Sequence, residues 1–194
     1  MGLLRSFIAI ELPPTIQEEI QSKTAELRNV LDSSLVRWVP SRNIHLTLKF
    51  LGDTSTANIE LLKLILTREA SRHPPFEIRI SGLGSFPTSR RPRVIWVGLH
   101  APPVLESLHR GIESETARMG YASEERPFSP HLTIGRVRQD PSPSGLQKIR
   151  AALESARIGD LGSITIDSIH LFKSDLQPAG SIYTCLFTAP LNQP

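Results

Sequence analysis

Two stretches carry the residues with chemical potential. The first is Asn43-Ile44-His45-Leu46-Thr47-Leu48-Lys49-Phe50-Leu51-Gly52, and its pattern returns in the second half as Pro130-His131-Leu132-Thr133-Ile134-Gly135-Arg136. A β-strand sends alternate side chains to opposite faces, so each histidine shares a face with the threonine two residues on. Two such strands closing around one phosphate would supply two groups that titrate near neutral pH and two hydroxyl donors. Those are the parts of acid–base phosphoryl chemistry. On the first strand the pleat assigns His45, Thr47 and Lys49 to one face. Ile44, Leu46, Leu48 and Phe50 fall on the other, apolar face, which makes Phe50 a core residue.

With 6 His, 12 Thr and 25 Leu in the chain, two copies of His-Leu-Thr followed by an aliphatic residue arise roughly once in ten thousand shuffles. One strand histidine alone is more often a hydrogen-bonded core residue, and one threonine reflects β-propensity. The repetition is what packing does not explain. His73, His100, His109 and His170 lack such a partner and receive no role.

Other chemistries find no footing. The sequence has no Gly-rich Lys-Ser/Thr phosphate loop, no His-Glu-x-x-His, no clustered Cys/His spacing and no Gly-x-Ser-x-Gly. Nucleoside triphosphate hydrolysis, a zinc centre and a serine nucleophile elbow are therefore not expected. A metal-free reaction on two imidazoles remains. No apolar run approaches the ~20 residues of a membrane span, and Met1 to Arg5 do not resemble a secretory leader. The one cysteine, Cys185, excludes an internal disulfide and makes the cytoplasm the expected location. The net charge is +3, and 17 of the 22 cations are Arg. The Arg fork suits phosphate oxygens, although a GC-rich genome would produce the same bias.

Around these strands the chain alternates elements. Ser6 to Leu12 reads as a strand stopped by Pro13-Pro14, followed by a helix with Thr15 and Glu18 as a capping box and Ile16, Ile20, Leu27, Val30 and Leu31 inward. Leu35 to Val39 is a short strand. Cap residues at Asp53–Thr56 precede a second helix with Ile59, Leu62, Ile65 and Leu66 inward. Phe76–Ile80 and Val94–Leu99 are strands joined by a basic loop holding Arg90, Arg91 and Arg93. A third helix follows Pro102-Pro103, and a fourth carries Leu146, Ile149 and Leu153. Ile164–Phe172 and Ile182–Phe187 form a strand pair around a turn at Asp175–Gly180. Several strands are joined without an intervening helix, which favours an α+β fold of mainly antiparallel sheets with helices on their outer faces. Each His-x-Thr strand precedes a helix and lies in its own half. We therefore expect one domain over residues 1–194 with two lobes related by a pseudo-twofold duplication.

With both motifs in view, the chain resembles the two-histidine phosphoesterase superfamily, and within it the RNA 2',3'-cyclic phosphodiesterase (2'-5' RNA ligase) family. The resemblance takes in Arg5-Ser6-Phe7-Ile8-Ala9-Ile10, Trp38-Val39, both motifs, Gly82-Leu83-Gly84-Ser85-Phe86-Pro87, Arg91 to Gly98 and Ser174 to Tyr183. It implies a bilobal fold with a cleft between two sheets. It also implies hydrolysis of an RNA terminal 2',3'-cyclic phosphate to a 2'-phosphate without metal or nucleotide cofactor, with reversible 2'-5' ligation alongside. The first motif histidine of such enzymes donates a proton and the second accepts one, which would make His45 the acid and His131 the base. Thr47 and Thr133 would hydrogen-bond the non-bridging oxygens, and Arg136 would pair with the phosphate charge. Arg136 lies five residues after His131, so a regular pleat turns it away unless Gly135 permits a bulge. Lys49 and the Arg90–Arg93 loop are candidates for the RNA backbone, and Phe7 and Phe50 for a base. The expected partner is an RNA or oligonucleotide ending in a 2',3'-cyclic phosphate, bound by a monomer. A small cyclic nucleotide, a 2'-5' oligonucleotide or a non-catalytic RNA-end binder are the alternatives.

Overall fold

The computed structural model describes residues 2–178 and 180–192. The chain runs β1 (Leu3–Glu11), α1 (Pro14–Lys23), α2 (Ala25–Val30), β2 (Val36–Trp38), a 3-10 turn (Ser41–Asn43), β3 (His45–Ser55), α3 (Thr56–Ala70), β4 (Phe76–Thr88), β5 (Arg91–His100), α4 (Pro103–Arg118), β6 (His131–Val137), α5 (Pro143–Ser155), β7 (Asp160–Ile166), β8 (Ser168–Gln177) and β9 (Gly180–Pro190). All pairings are antiparallel, in the order β7-β4-β5-β6-β3-β1-β8-β9, with β2 also on β6.

This is the expected α+β arrangement, with one refinement. The two sheets are halves of a nine-stranded sheet, joined where Leu46 of β3 stands opposite Leu132 of β6. Each His-x-Thr strand is the innermost of its half. Only Asp167 separates β7 from β8, yet they belong to different halves. One residue spans about 3.3 Å, so the sheet curls until its β7 end returns to β8. Helix α3 lies on β3, β8 and β9, α4 on β3 and α3, and α5 on β5 and α2. Their apolar faces and the inward strand residues form one buried cluster through both halves, including Ile8, Leu46, Leu62, Ile95, Ile112 and Leu132.

Local departures from the expected elements have local causes. The first helix is broken into α1 and α2 at Thr24, whose Oγ1 donates to the Ile20 carbonyl at 2.7 Å and competes with the helical ladder. The Thr15–Glu18 capping box does not form, because α1 starts at Pro14 without a side-chain cap; proline suits the first helical position. Ser55 caps α3 by accepting from the Asn58 amide at 3.2 Å. The strand expected over 164–172 is divided at Asp167 between β7 and β8. Ala179, inside the expected turn 175–180, lies outside the described residues.

Bulges shape the inner strands. Strand β3 has them at Leu48 and Leu51 against β1, and β6 has one at Ile134 against β5. The first on each strand directly follows the His-x-Thr pair. Against β1, Thr47 pairs with Ala9 and Lys49 with Ile8, which leaves Leu48 unpaired. Against β5, Thr133 pairs with Trp96 and Gly135 with Ile95, which leaves Ile134 unpaired. The extra residue inverts the alternation beyond it. As a result His45–Leu51 and His131–Val137 show the same sequence of half-buried, buried and exposed positions, residue for residue. Lys49 therefore turns inward and is 5% exposed, while Phe50 turns out and is 67% exposed, the reverse of the regular-pleat expectation. Inside, the Lys49 ammonium donates to Glu113 Oε2 of α4 at 2.7 Å and to the Ala122 carbonyl at 2.6 Å.

Removing one member of a buried ion pair strands the other charge. Lys49→Met should cost toward the low end of ~3–5 kcal/mol, since Glu113 keeps some solvent contact. Lys49→Met with Glu113→Leu should recover much of that loss in urea unfolding. A double variant no more stable than the single would refute the pairing.

Candidate active site

Leu46 and Leu132 both turn into the core, so the residues on either side of each point to the opposite, open face. Continuing the antiparallel register from Leu46–Leu132 sets His45 beside Thr133 and Thr47 beside His131. Directly opposite side chains in such a pair have Cβ atoms about 5 Å apart. The two imidazoles thus lie diagonally across the seam between the halves, each next to the other strand's threonine. All four residues are half-buried.

Each imidazole is held the same way. His45 Nδ1 is 2.7 Å from the Asn43 carbonyl, and His131 Nδ1 is 2.7 Å from the Ser129 carbonyl. A carbonyl only accepts, so Nδ1 carries the hydrogen and Nε2 is left for chemistry. Asn43 is itself anchored, donating from Nδ2 to the Ser181 carbonyl of β9 at 2.8 Å, and Gln17 of α1 donates to the Ile44 carbonyl at 3.1 Å. Aromatic rings wall both histidines. Phe7 and Tyr183 stand 4.9 and 5.3 Å from His45, and Phe86 stands edge-on 4.8 Å from His131.

Arg136 joins this face through the bulge at Ile134–Gly135, and its side chain is exposed. Glycine is required at 135 because a Cβ there would come within 2.9 Å of both Trp38 and Val36 on β2. The structure thus brings together His45, His131, Thr47, Thr133 and Arg136. It removes Lys49 to the core and keeps Arg90, Arg91 and Arg93 exposed at the β4–β5 turn, where the Arg90 carbonyl accepts from Arg150 Nε at 2.8 Å. Sequence reasoning missed the carbonyls of Asn43 and Ser129, which no side-chain pattern announces. It also missed the aromatic walls beyond Phe7 and the outward turn of Phe50.

The sequence and the architecture have known counterparts. Residues 12–178 match the model of the 2'-5' RNA ligase superfamily. The chain belongs to that superfamily. An RNA 2',3'-cyclic phosphodiesterase of Methanothermobacter thermautotrophicus is 32% identical over 181 residues, 93% of this chain and 95% of that protein. One from Methanocaldococcus jannaschii is 34% identical over 180 residues, 93% of this chain and 96% of its own length. The crystal structure of E. coli LigT complexed with 3'-AMP has a TM-score of 0.79 at 28% identity and covers 99% of this chain and 100% of that one.

In this member of the 2'-5' RNA ligase superfamily the site's electrostatics lower both histidines. Burial among aromatic rings pushes His45 down to about 4; its bond to the Asn43 carbonyl opposes that, and Arg136 and His131 lower it further. Burial also lowers His131, again opposed by its carbonyl bond and reinforced by Arg136. Arg136 therefore acts electrostatically on both rings. Beside His45 a cavity of about 290 Å³ is lined by Phe7, Arg42, Asn43, Phe172 and Tyr183, among others. Among the described residues no three His, Cys, Asp or Glu side chains form a metal-holding group, and no helix is long and apolar enough to cross a membrane.

The sign of the pH effect follows from these shifts. A histidine with a folded pKa of about 4 against 6.5 unfolded binds fewer protons in the native state between those values. Its contribution is complete above about pH 6.5 and is lost as pH falls toward 4. Urea unfolding should show stability declining across that window, less so in His45→Asn. In NMR titration the His45 ring should stay neutral to about pH 4; a midpoint near 6.5 would refute the buried setting.

Proposed function

We infer that this chain hydrolyses the terminal 2',3'-cyclic phosphate of RNA to a 2'-phosphate. The observation that carries the reading is the meeting of two His-x-Thr pairs and one arginine on a single face at the seam. Both relatives compared above bear that activity in their names. His131, neutral through its lowered pKa, accepts a proton at Nε2 from the water that attacks phosphorus. His45, protonated, gives its Nε2 proton to the departing 3' oxygen. Thr47 and Thr133 donate to the two non-bridging oxygens, and Arg136 balances the phosphate charge as it concentrates on them. The five-membered diester ring is strained, which lowers the barrier that two imidazoles must carry without metal or cofactor. A 5' hydroxyl in place of water would leave a 2'-5' linkage by the same proton transfers, with hydrolysis dominant in water.

The free enzyme holds His45 largely neutral, so the acid must be charged as the substrate arrives. An anionic phosphate between the rings offsets Arg136 and favours imidazolium. The base of the terminal nucleoside lies on the His45 flank, where Phe7 and the exposed Phe50 stand 6.2 Å apart. The proposal includes a single domain in which each half supplies one motif, acting as a cytoplasmic monomer.

Product analysis on an oligonucleotide ending in a 2',3'-cyclic phosphate tests the reading; a 2'-phosphate end is expected and an unchanged end would end it. His45→Ala and His131→Ala should each lose on the order of 10²–10⁴ in kcat while still binding the oligonucleotide. The kcat/KM profile should be a bell centred below pH 6.5, with the kcat profile displaced upward by bound phosphate. Phe50→Ala should raise KM with kcat kept, by about 1–3 kcal/mol if a base stacks there. A chelator should leave the rate unchanged.

A further inference from the structure

Arg37 is placed as deliberately as Arg136. On β2 it stands directly opposite Arg136 across the antiparallel β2–β6 pair, so both side chains leave the sheet on the same face with Cβ atoms about 5 Å apart. The neighbours fix this orientation. Val36 is fully buried, and Trp38 donates from its indole to the Leu31 carbonyl at 2.8 Å on the core side. Gly135 lets both close onto β6, which leaves Arg37 exposed on the open face.

Like charges directly opposite in a sheet are destabilising. Among the described residues neither Arg37 nor Arg136 has a carboxylate within ion-pairing distance. The other arginine of this edge, Arg138, is turned back to the Ser33 carbonyl at 2.6 Å. Two unpaired guanidinium groups on a rigid strand pair form a seat for more than one anionic charge. The reacting diester supplies only one. It has two non-bridging oxygens, already met by Thr47, Thr133 and Arg136 in the reaction proposed above.

We propose that Arg37 binds the next phosphate of the RNA strand, making the β2–β6 edge a second anion seat that favours oligonucleotide ends over cyclic mononucleotides. The proposal rests on the cyclic phosphodiesterase reading and names the feature of this chain that selects a polymer. A 2',3'-cyclic mononucleotide has no phosphate to place there.

The test compares wild type, Arg37→Gln and Arg37→Lys on 2',3'-cyclic AMP and on a short oligoribonucleotide with a 2',3'-cyclic phosphate end. Arg37→Gln should raise KM for the oligonucleotide roughly 10-fold to 100-fold, the loss of a charge-assisted contact, with kcat and cyclic AMP turnover unchanged. The slope of log kcat/KM against log salt should flatten by about 0.7 for the oligonucleotide alone, and Arg37→Lys should restore part of the affinity. Equal losses on both substrates would overturn the proposal by assigning Arg37 to the reacting phosphate. No loss on either would overturn it by leaving Arg37 to solvent. Wild type inactive on both substrates would instead overturn the cyclic phosphodiesterase reading itself.

Discussion

The pairing of Leu46 with Leu132 is the constraint on which the site depends. Among the described residues it is the one registered pair between β3 and β6, and it joins the halves of the sheet. Both leucines are almost wholly buried, and each contributes about 1.5–3 kcal/mol by leaving water. Because they point inward, the pleat turns His45, Thr47, His131 and Thr133 outward together. The energy that holds the seam is apolar, and the polar quartet is its geometric consequence. Burial of the two imidazoles, reinforced by Arg136 on the same face, lowers their proton affinity; the core beneath offsets that penalty.

The bulges complete the site. Immediately after its His-x-Thr pair each inner strand has a bulged residue, Leu48 on β3 and Ile134 on β6, and the next outward position is Phe50 on β3 and Arg136 on β6. One backbone device, used twice, presents an aromatic ring on one side of the seam and a cation on the other. The position between bulge and outward residue differs for reasons that can be named. Lys49 reaches across to Glu113 on α4, whereas Gly135 admits Trp38 of β2. The halves share a scheme for holding the histidines and diverge in what each offers a substrate.

Much of this was legible in the sequence because it follows from period and repetition. The His-x-Thr pairs, their separate halves and the α+β class rest on alternation and on turn residues, which act locally. Arg136 was legible as a question, since only a bulge at Gly135 could return it to the histidine face. A regular pleat assigns Lys49 and Phe50 to the wrong faces because nothing in Leu48-Lys49-Phe50 marks the extra residue; the bulge is set by pairing with β1. The carbonyls that fix the imidazole tautomers, and the alignment of Arg37 with Arg136, belong to tertiary register. The division of residues 160–177 into strands of different halves was hidden for the same reason.

The central claim is that His45 and His131 face one phosphoryl group. Titrating adenosine 2'-monophosphate, a product-like ligand, while following both imidazole ring signals by NMR tests it most directly. The account predicts that both respond with one dissociation constant at one ligand per chain, and that bound phosphate raises both pKa values. A response confined to one ring, or two rings saturating at different concentrations, would contradict it.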